Sequence, residues 1–345
     1  MTGPAPGSIH SGAEVAALSS SLPPRESFGP ESDRPCLVVR LADTDPKLAG
    51  WLSTLPCPVI GVGRGPLADA CDIQLDDESS LPLLVSNIAE TPLAAMVLVQ
   101  LLRMRGMLSE AAALTAESFA YATIQAGPEF RRWQSRRSIA SAVAIEPGPP
   151  VVMERDGGHL RLTMNRPASL NAIGIELRDA LVEAFDMASI DPDVTDILLE
   201  GRGRCFCIGG DIREFGQARD PATAHWIRTL RQPAASLPKL RERLTVRVQG
   251  AAIGGGAEIA AFANRVVAAP DAWFQLPELK YGLIPGAGGT VSLPRRIGRQ
   301  RTAYMALSMR RISASLALSW GLVDAIEPIP ARQAKAKAAP KAREG

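Results

Sequence analysis

The stretch Phe274-Gln275-Leu276-Pro277-Glu278, followed by Tyr281-Gly282-Leu283-Ile284-Pro285-Gly286-Ala287-Gly288-Gly289-Thr290, decides how this chain is read. Taken singly, an acid after a proline is a loop acid, so the meaning of Glu278 depends on what lies upstream. Two glycine-rich loops lie there: Gly250-Ala251-Ala252-Ile253-Gly254-Gly255-Gly256-Ala257-Glu258 and Cys205-Phe206-Cys207-Ile208-Gly209-Gly210-Asp211-Ile212-Arg213. Each is expected to follow a strand and open a helix, leaving backbone N–H groups unpaired at the turn. Two such groups converging on one point make an oxyanion hole, aided by the positive end of the following helix. Glycine suits that place because a Cβ would block the approach of a carbonyl oxygen. Neither loop matches a dinucleotide fingerprint, and no Gly-Lys-Ser/Thr ending marks a nucleotide-phosphate loop. Glu258 alone reads as a dipole-stabilising acid on a first helical turn.

Composition narrows the chemistry. The 345 residues suggest two compact units plus tails, and 46% hydrophobic with 21% charged residues is a soluble globular balance. Lys and Arg number 38 against 36 acids, a formal charge of +2, which argues against a chain built to coat nucleic acid or an anionic membrane. The three histidines, His10, His159 and His225, are far apart, so no metal-ligand spacing exists among them and acid–base work falls to carboxylates. The odd set Cys36, Cys57, Cys71, Cys205 and Cys207 has no zinc spacing and reads as reduced, buried thiols of a cytoplasmic protein. The N-terminus lacks the basic start and apolar core of a secretory signal. The longest apolar run, Leu93 to Leu102, is about half of the roughly 20 residues a membrane span needs.

The chain divides by pattern. Residues 1–30, rich in Gly, Pro and Ser, read as a flexible leader. A unit over residues 31–140 opens with strand-like runs at Cys36–Leu41 and Pro58–Val62. It turns helical over Ser109–Gln125, with Gly127-Pro128 as a stop. The Pro/Gly link Ile145–Pro150 leads into a unit over residues 148–328. There Leu160, Leu162 and Met164 alternate as in a half-buried strand, and Leu177, Leu181, Phe185 and Ala188 recur at helical spacing. Strands are expected again at Ile197–Leu199, Leu244–Val248 and Arg265–Ala268, which makes the unit α/β. Residues 329–345, rich in Lys, Arg and Ala, read as a basic disordered tail.

From Val151 to Ile326 the sequence resembles the crotonase (enoyl-CoA hydratase/isomerase) superfamily. Asn165-Arg166-Pro167 with Leu170-Asn171-Ala172, both glycine loops, Pro277-Glu278, Ile284 to Thr290 and Trp320-Gly321-Leu322-Val323 occur in family order. The resemblance implies an α/β fold, a crotonase-like spiral of ββα repeats. It implies Gly210 and Gly255 as the oxyanion-hole amides and Glu258 and Glu278 as the catalytic acids of an enoyl-CoA hydratase, a lyase of fatty acid metabolism. Coenzyme A contacts fall near Arg166, Leu170, Ala172, Asp211, Ile212 and Arg213, with Arg213 placed to face a phosphate. The substrate is then an acyl-CoA, with no metal and no separate cofactor, and no nucleic acid or membrane partner. A homo-oligomer, trimer or hexamer, is expected. Both glutamates together favour hydration; a Δ3-Δ2 isomerase and a catalytically weak scaffold subunit are the alternatives.

Two departures from the family stand out. Members usually continue for several helices after the Gly321-Leu322-Val323 motif, whereas here a short Lys/Ala tail comes next. Ser109 to Arg137 looks like that C-terminal helical segment, placed upstream. Pro58 to Gly65 and Ala70-Cys71-Asp72-Ile73 look like an eroded oxyanion region without its glycine triplet and glutamate. The N-terminal unit is therefore expected to be a degenerate module whose helices pack on the downstream core. Asn264-Arg265 stands where the family commonly has an acid.

Overall fold

The structure is a computed structural model describing residues 7–21, 23–137 and 146–329; residues 330–345 of the basic tail lie outside these. The N-terminal unit is built on a four-stranded parallel sheet of β1 (Ile9–His10), β2 (Leu37–Arg40), β3 (Val59–Val62) and β4 (Ile73–Leu75), in that order. Strands made of Leu, Val and Ile runs bury both faces, as parallel sheets require. Leu37, Val39 and Val59 point into a small core with Val15, Leu41, Leu52 and Leu67. Val38, Ile60 and Ile73 point the other way, into a cluster that continues through Leu98 and Tyr121 to Val246 and Phe274. The two units thus share one hydrophobic core.

The helices of this unit are α1 (Gly12–Ser20), α2 (Ala49–Thr54), α3 (Leu81–Glu90), α4 (Pro92–Met104), α5 (Glu110–Gln125) and α6 (Pro128–Arg136). The expected flexible leader is instead partly built: Ile9 pairs with Val38, and α1 starts at Ser11 with a full Ser11/Glu14 capping box. That box and the buried Val15 anchor a segment whose Gly and Pro content suggested a loose chain. The apolar run Leu93–Leu102 lies in α4, whose Ala94, Ala95, Leu98 and Val99 are buried. Among the described residues no single helix is long and apolar enough to cross a membrane.

The C-terminal unit carries a six-stranded sheet made of β5 (Val151–Asp156), β6 (His159–Met164), β7 (Asp196–Gly201), β8 (Leu244–Val248), β10 (Arg265–Ala268) and β13 (Ala325–Ile326). Their order across the sheet is β13-β10-β8-β7-β6-β5. A second, three-stranded sheet of β9 (Ala251–Ile253), β11 (Trp273–Gln275) and β12 (Ile312–Ser313) lies beside it. Between the strands run α7 (Ile175–Ile190), α8 (Pro221–Arg231), α9 (Leu237–Leu240), α10 (Gly255–Ala260), α11 (Gly289–Ser308, kinked at Gly298) and α12 (Ala314–Trp320).

The N-terminal unit grips α11 at both ends and along its side. Glu117 of α5 accepts from the first amides of α11, and Asn87 of α3 donates to the Leu307 and Ser308 carbonyls at its end. Between them Arg299 reaches Asp72 at 3.0 Å, and Gln300 donates to the Ala68 and Cys71 carbonyls. Asp72 is only 1% exposed and also holds Arg103 at 2.5 Å, so its charge is neutralised twice where it is buried.

Candidate active site

The two glycine loops lie against each other. Ile253 N–H donates to the Cys207 carbonyl at 2.9 Å, and Ile173 N–H to the Gly209 carbonyl at 2.8 Å. Asp211 N–H returns to the Ile173 carbonyl at 3.1 Å, which steps over Gly210. Among the described residues the N–H groups of Gly210 and Gly255 donate to no backbone carbonyl. Gly255 is the first residue of α10, where four amides lack an intrahelical partner. The first loop does not open directly into the helix expected of it. Ile212–Glu214 is a single 3-10 turn capped by Asp211, and the next helix, α8, begins only at the Asp220-Pro221 start.

Glu258 sits on the first turn of α10 and is 1% exposed. Its Oε2 accepts from Ala287 N–H at 2.6 Å and Gly289 N–H at 2.7 Å, both at the start of α11. Gly289 has to be a glycine here, since a Cβ would stand 2.5 Å from Glu258 Cγ. Glu278 follows Pro277, and its Oε2 is buried without a hydrogen-bond partner among the described residues. Gly254, at φ 47°, lets that carboxylate lie against the second loop, because a Cβ there would run into Glu278 Oε1.

Both glutamates, both glycines and Asp211 line one cavity of about 410 Å³. Helix α5 supplies part of its wall. Tyr121 and Gln125 face the cavity, and Arg228 of α8 lies over the Tyr121 ring, 4.0 Å from its centroid. Arg228 and Gln232 both donate to the Gly286 carbonyl, fixing the turn before α11. Helix α5 is tied to α8 by Ser118 Oγ and His225 Nδ1 at 2.9 Å and by the stacked rings of Phe119 and His225. Arg241 pairs with Glu110 at the start of α5 at 2.5 Å.

Burial raises all three carboxyl groups here. Glu258 is pushed up to about 8, first by burial and then by the charge of Glu117, against the Ala287 and Gly289 amides and Arg228. Glu278 lies well above the usual range, through burial and then the charge of Glu258. Glu117 is raised by burial and pulled back by Thr290, Arg228 and Gly288. Burial lifts the Tyr121 hydroxyl to about 12. The Cys207 thiol also rises to about 12, again through burial, which makes it a packing group rather than a nucleophile.

The other expected site residues are less free. All five N–H donors of Arg166 meet acceptors: Glu176 twice and the carbonyls of Gly148, Pro149 and Asn165. Arg213 is held by Asp211 in a close ion pair, and its guanidinium folds back on the loop. Leu170 adopts a left-handed φ of 56°. Ala172 precedes Ile173 and Gly174, which line the cavity, and Ile212 follows Asp211, which also does. Sequence reasoning did not single out Glu117, Tyr121, Arg228 and Gln232 as site residues. The one signal for the first two is the likeness of Ser109–Arg137 to a relocated helical segment, with Glu117 and Tyr121 one helical turn apart on one face.

Two glycine amides without backbone acceptors and two buried carboxyl groups thus share one cavity of an α/β fold. A family model described as Enoyl-CoA hydratase/isomerase matches residues 154–342. A 2,3-dehydroadipyl-CoA hydratase of Escherichia coli (strain K12) is 35% identical over 178 residues, 52% of this chain and 69% of that protein. A probable enoyl-CoA hydratase, echA8, of Mycobacterium bovis is 33% identical over 52% of this chain and 68% of its own length. The solved enoyl-CoA hydratase of Thermoplasma volcanium is 33% identical, covering 52% of this chain and 72% of that one at a TM-score of 0.47. The chain belongs to the enoyl-CoA hydratase/isomerase family of the crotonase superfamily, whose members act on acyl-CoA thioesters.

Proposed function

We propose that the chain is an enoyl-CoA hydratase that adds water across the double bond of a 2-enoyl-CoA. The observation that carries this reading is the pairing, in one cavity, of two unlike carboxylates beside two free glycine amides. Glu258 accepts two N–H bonds, while Glu278 keeps a buried oxygen with no donor among the described residues. Environments that separate two such groups assign the base and the acid.

In this reading the thioester carbonyl docks on the Gly210 and Gly255 amides. Glu258 takes a proton from water as its oxygen bonds to Cβ, and the double-bond electrons move toward the thioester oxygen. The resulting enolate is held by the two amides, each worth about 3 kcal/mol of barrier. Glu278 then gives its proton to Cα, and proton exchange with solvent and Glu258 resets the pair. Coenzyme A enters past Asp211, with the backbone around Leu170, Ala172, Ile212 and Arg213 at its edge. The family's oligomeric habit, trimer or hexamer, belongs to the same reading.

The test is a panel of short, medium and aromatic 2-enoyl-CoAs, monitored by loss of the conjugated thioester absorbance. Turnover with at least one supports the reading, and none with any of them overturns it. A gain of that absorbance with a 3-enoyl-CoA and no loss with the 2-enoyl series would assign isomerisation instead.

A further inference from the structure

The amides at the start of α11 alternate between two carboxylates. Ala287 and Gly289 donate to Glu258, while Gly288 donates to Glu117 Oε1 at 2.7 Å and Thr290 to Glu117 Oε2 at 2.9 Å. The Thr290 hydroxyl adds a third bond to Glu117, at 2.7 Å. Glu117 is 0% exposed, and it comes from the N-terminal unit, 171 residues before Gly288. Each Glu117 oxygen accepts from a backbone N–H, an arrangement that suits a carboxylate.

We propose that Glu117 is a positioning residue of the active site, fixing the loop that holds Glu258 and setting a second negative charge behind it. Four consecutive N–H groups are committed, in alternation, to the two acids. If Glu117 lets go of Gly288 and Thr290, the intervening Gly289 amide and its neighbour Ala287 lose the geometry that binds Glu258. A helix cap alone would need one or two of these bonds; the alternation ties the cap to the reacting carboxylate. The N-terminal unit therefore supplies part of the catalytic machinery as well as the wall of the pocket. This inference rests on Glu258 being the base of the proposed reaction.

The groups facing Glu258 are Glu117 and Tyr121 from α5, Arg228 from α8, Glu278 after β11 and the Cys207 thiol beneath. Removing the Glu117 charge takes away repulsion, so Glu258 should ionise more easily. In Glu117→Gln we expect kcat to fall about tenfold or more with KM for the enoyl-CoA within about twofold. The limb of the pH–rate profile set by Glu258 should move down by about one unit. Glu117→Asp, which keeps the charge, should restore the position of that limb even where kcat stays low. Glu110→Gln, which loosens the same helix away from the cavity, should leave the profile in place.

The same titration can be followed without turnover, through the infrared band of the protonated carboxyl assigned with Glu258→Gln. An inactive wild type would then count against the hydratase reading, while an unmoved Glu258 band in Glu117→Gln would count against this one. Should Glu117→Gln fail to fold, Thr290→Val removes only the hydroxyl donor and should move the band the same way by less. An unchanged profile and band in the folded variants would overturn the proposal and leave Glu117 a helix cap.

Discussion

On one wall of the cavity Glu258 Oε2 takes two N–H bonds of 2.6 and 2.7 Å, and a second acid, Glu117, is fastened to the same turn. On the other wall Glu278 presents an oxygen that nothing bonds among the described residues. The N-terminal unit bonds directly to the turn of the first wall through Glu117, whereas it meets the second only by packing, with Trp133 of α6 against Tyr281. The two N–H bonds hold the Glu258 carboxyl group in place and pull against the burial that raises it, whereas an orphaned oxygen in a buried place costs energy that a ligand or water can recover. In the proposed reaction this difference separates a fixed base from a group left free to meet substrate.

Taking away the assembled wall should have the largest effect. Removing residues 1–140 strips α11 of Glu117, Asn87 and Asp72 and exposes the shared core. We expect an insoluble or inactive remainder; a soluble, fully active chain from Val151 onward would show that the two walls are independent. Next come Glu258→Gln and Glu278→Gln, each expected to lower kcat by about 10²- to 10⁴-fold, as removal of a general acid or base does. Steady-state kinetics that leave either variant near wild type would remove that wall from the chemistry. A smaller effect is expected for Gly289→Ala, whose new Cβ has to push Glu258 aside. A loss in kcat of about tenfold without change at the Glu278 side would sharpen the contrast.

Stability against pH offers the gentlest probe. Glu258 titrates near 8 in the folded chain against 4.5 for the ordinary group, so the folded state binds the extra proton between those values. Stability should therefore be full below about 4.5 and decline as pH rises toward about 8. Urea midpoints should show this decline in the wild type and a shallower one in Glu258→Gln. Equal slopes would mean that burial does not strain the bonded acid.

Much of this site was legible because its parts sit in contiguous motifs. Gly210, Gly255, Glu258 and Glu278 each lie in a loop whose glycines or proline mark it, and the strands carrying those loops show in runs such as Leu244–Val248. Glu117 carries no such mark. It lies on an alanine-rich helix with a weak apolar stripe, and its partners are backbone amides in a distant loop, which no local pattern encodes. The folded segment at Ile9–Ser20 was hidden for a different reason, since its glycine and proline neighbours speak louder than the Ser11/Glu14 box. The turn at Ile212–Glu214 stayed short because the backbone runs extended at Phe215 and left-handed at Gly216. Arg166 was visible as a cation, but the five acceptors around it belong to tertiary structure.

The most direct test of the two-walled site is hydration in heavy-oxygen water, read by mass spectrometry of the thioester product. The account predicts a 3-hydroxyacyl-CoA carrying one labelled oxygen with the full chain, and loss of that product when Glu258 or Glu278 is replaced by glutamine. A 2-enoyl-CoA returned without added water by the full chain, across the substrate panel, would contradict it.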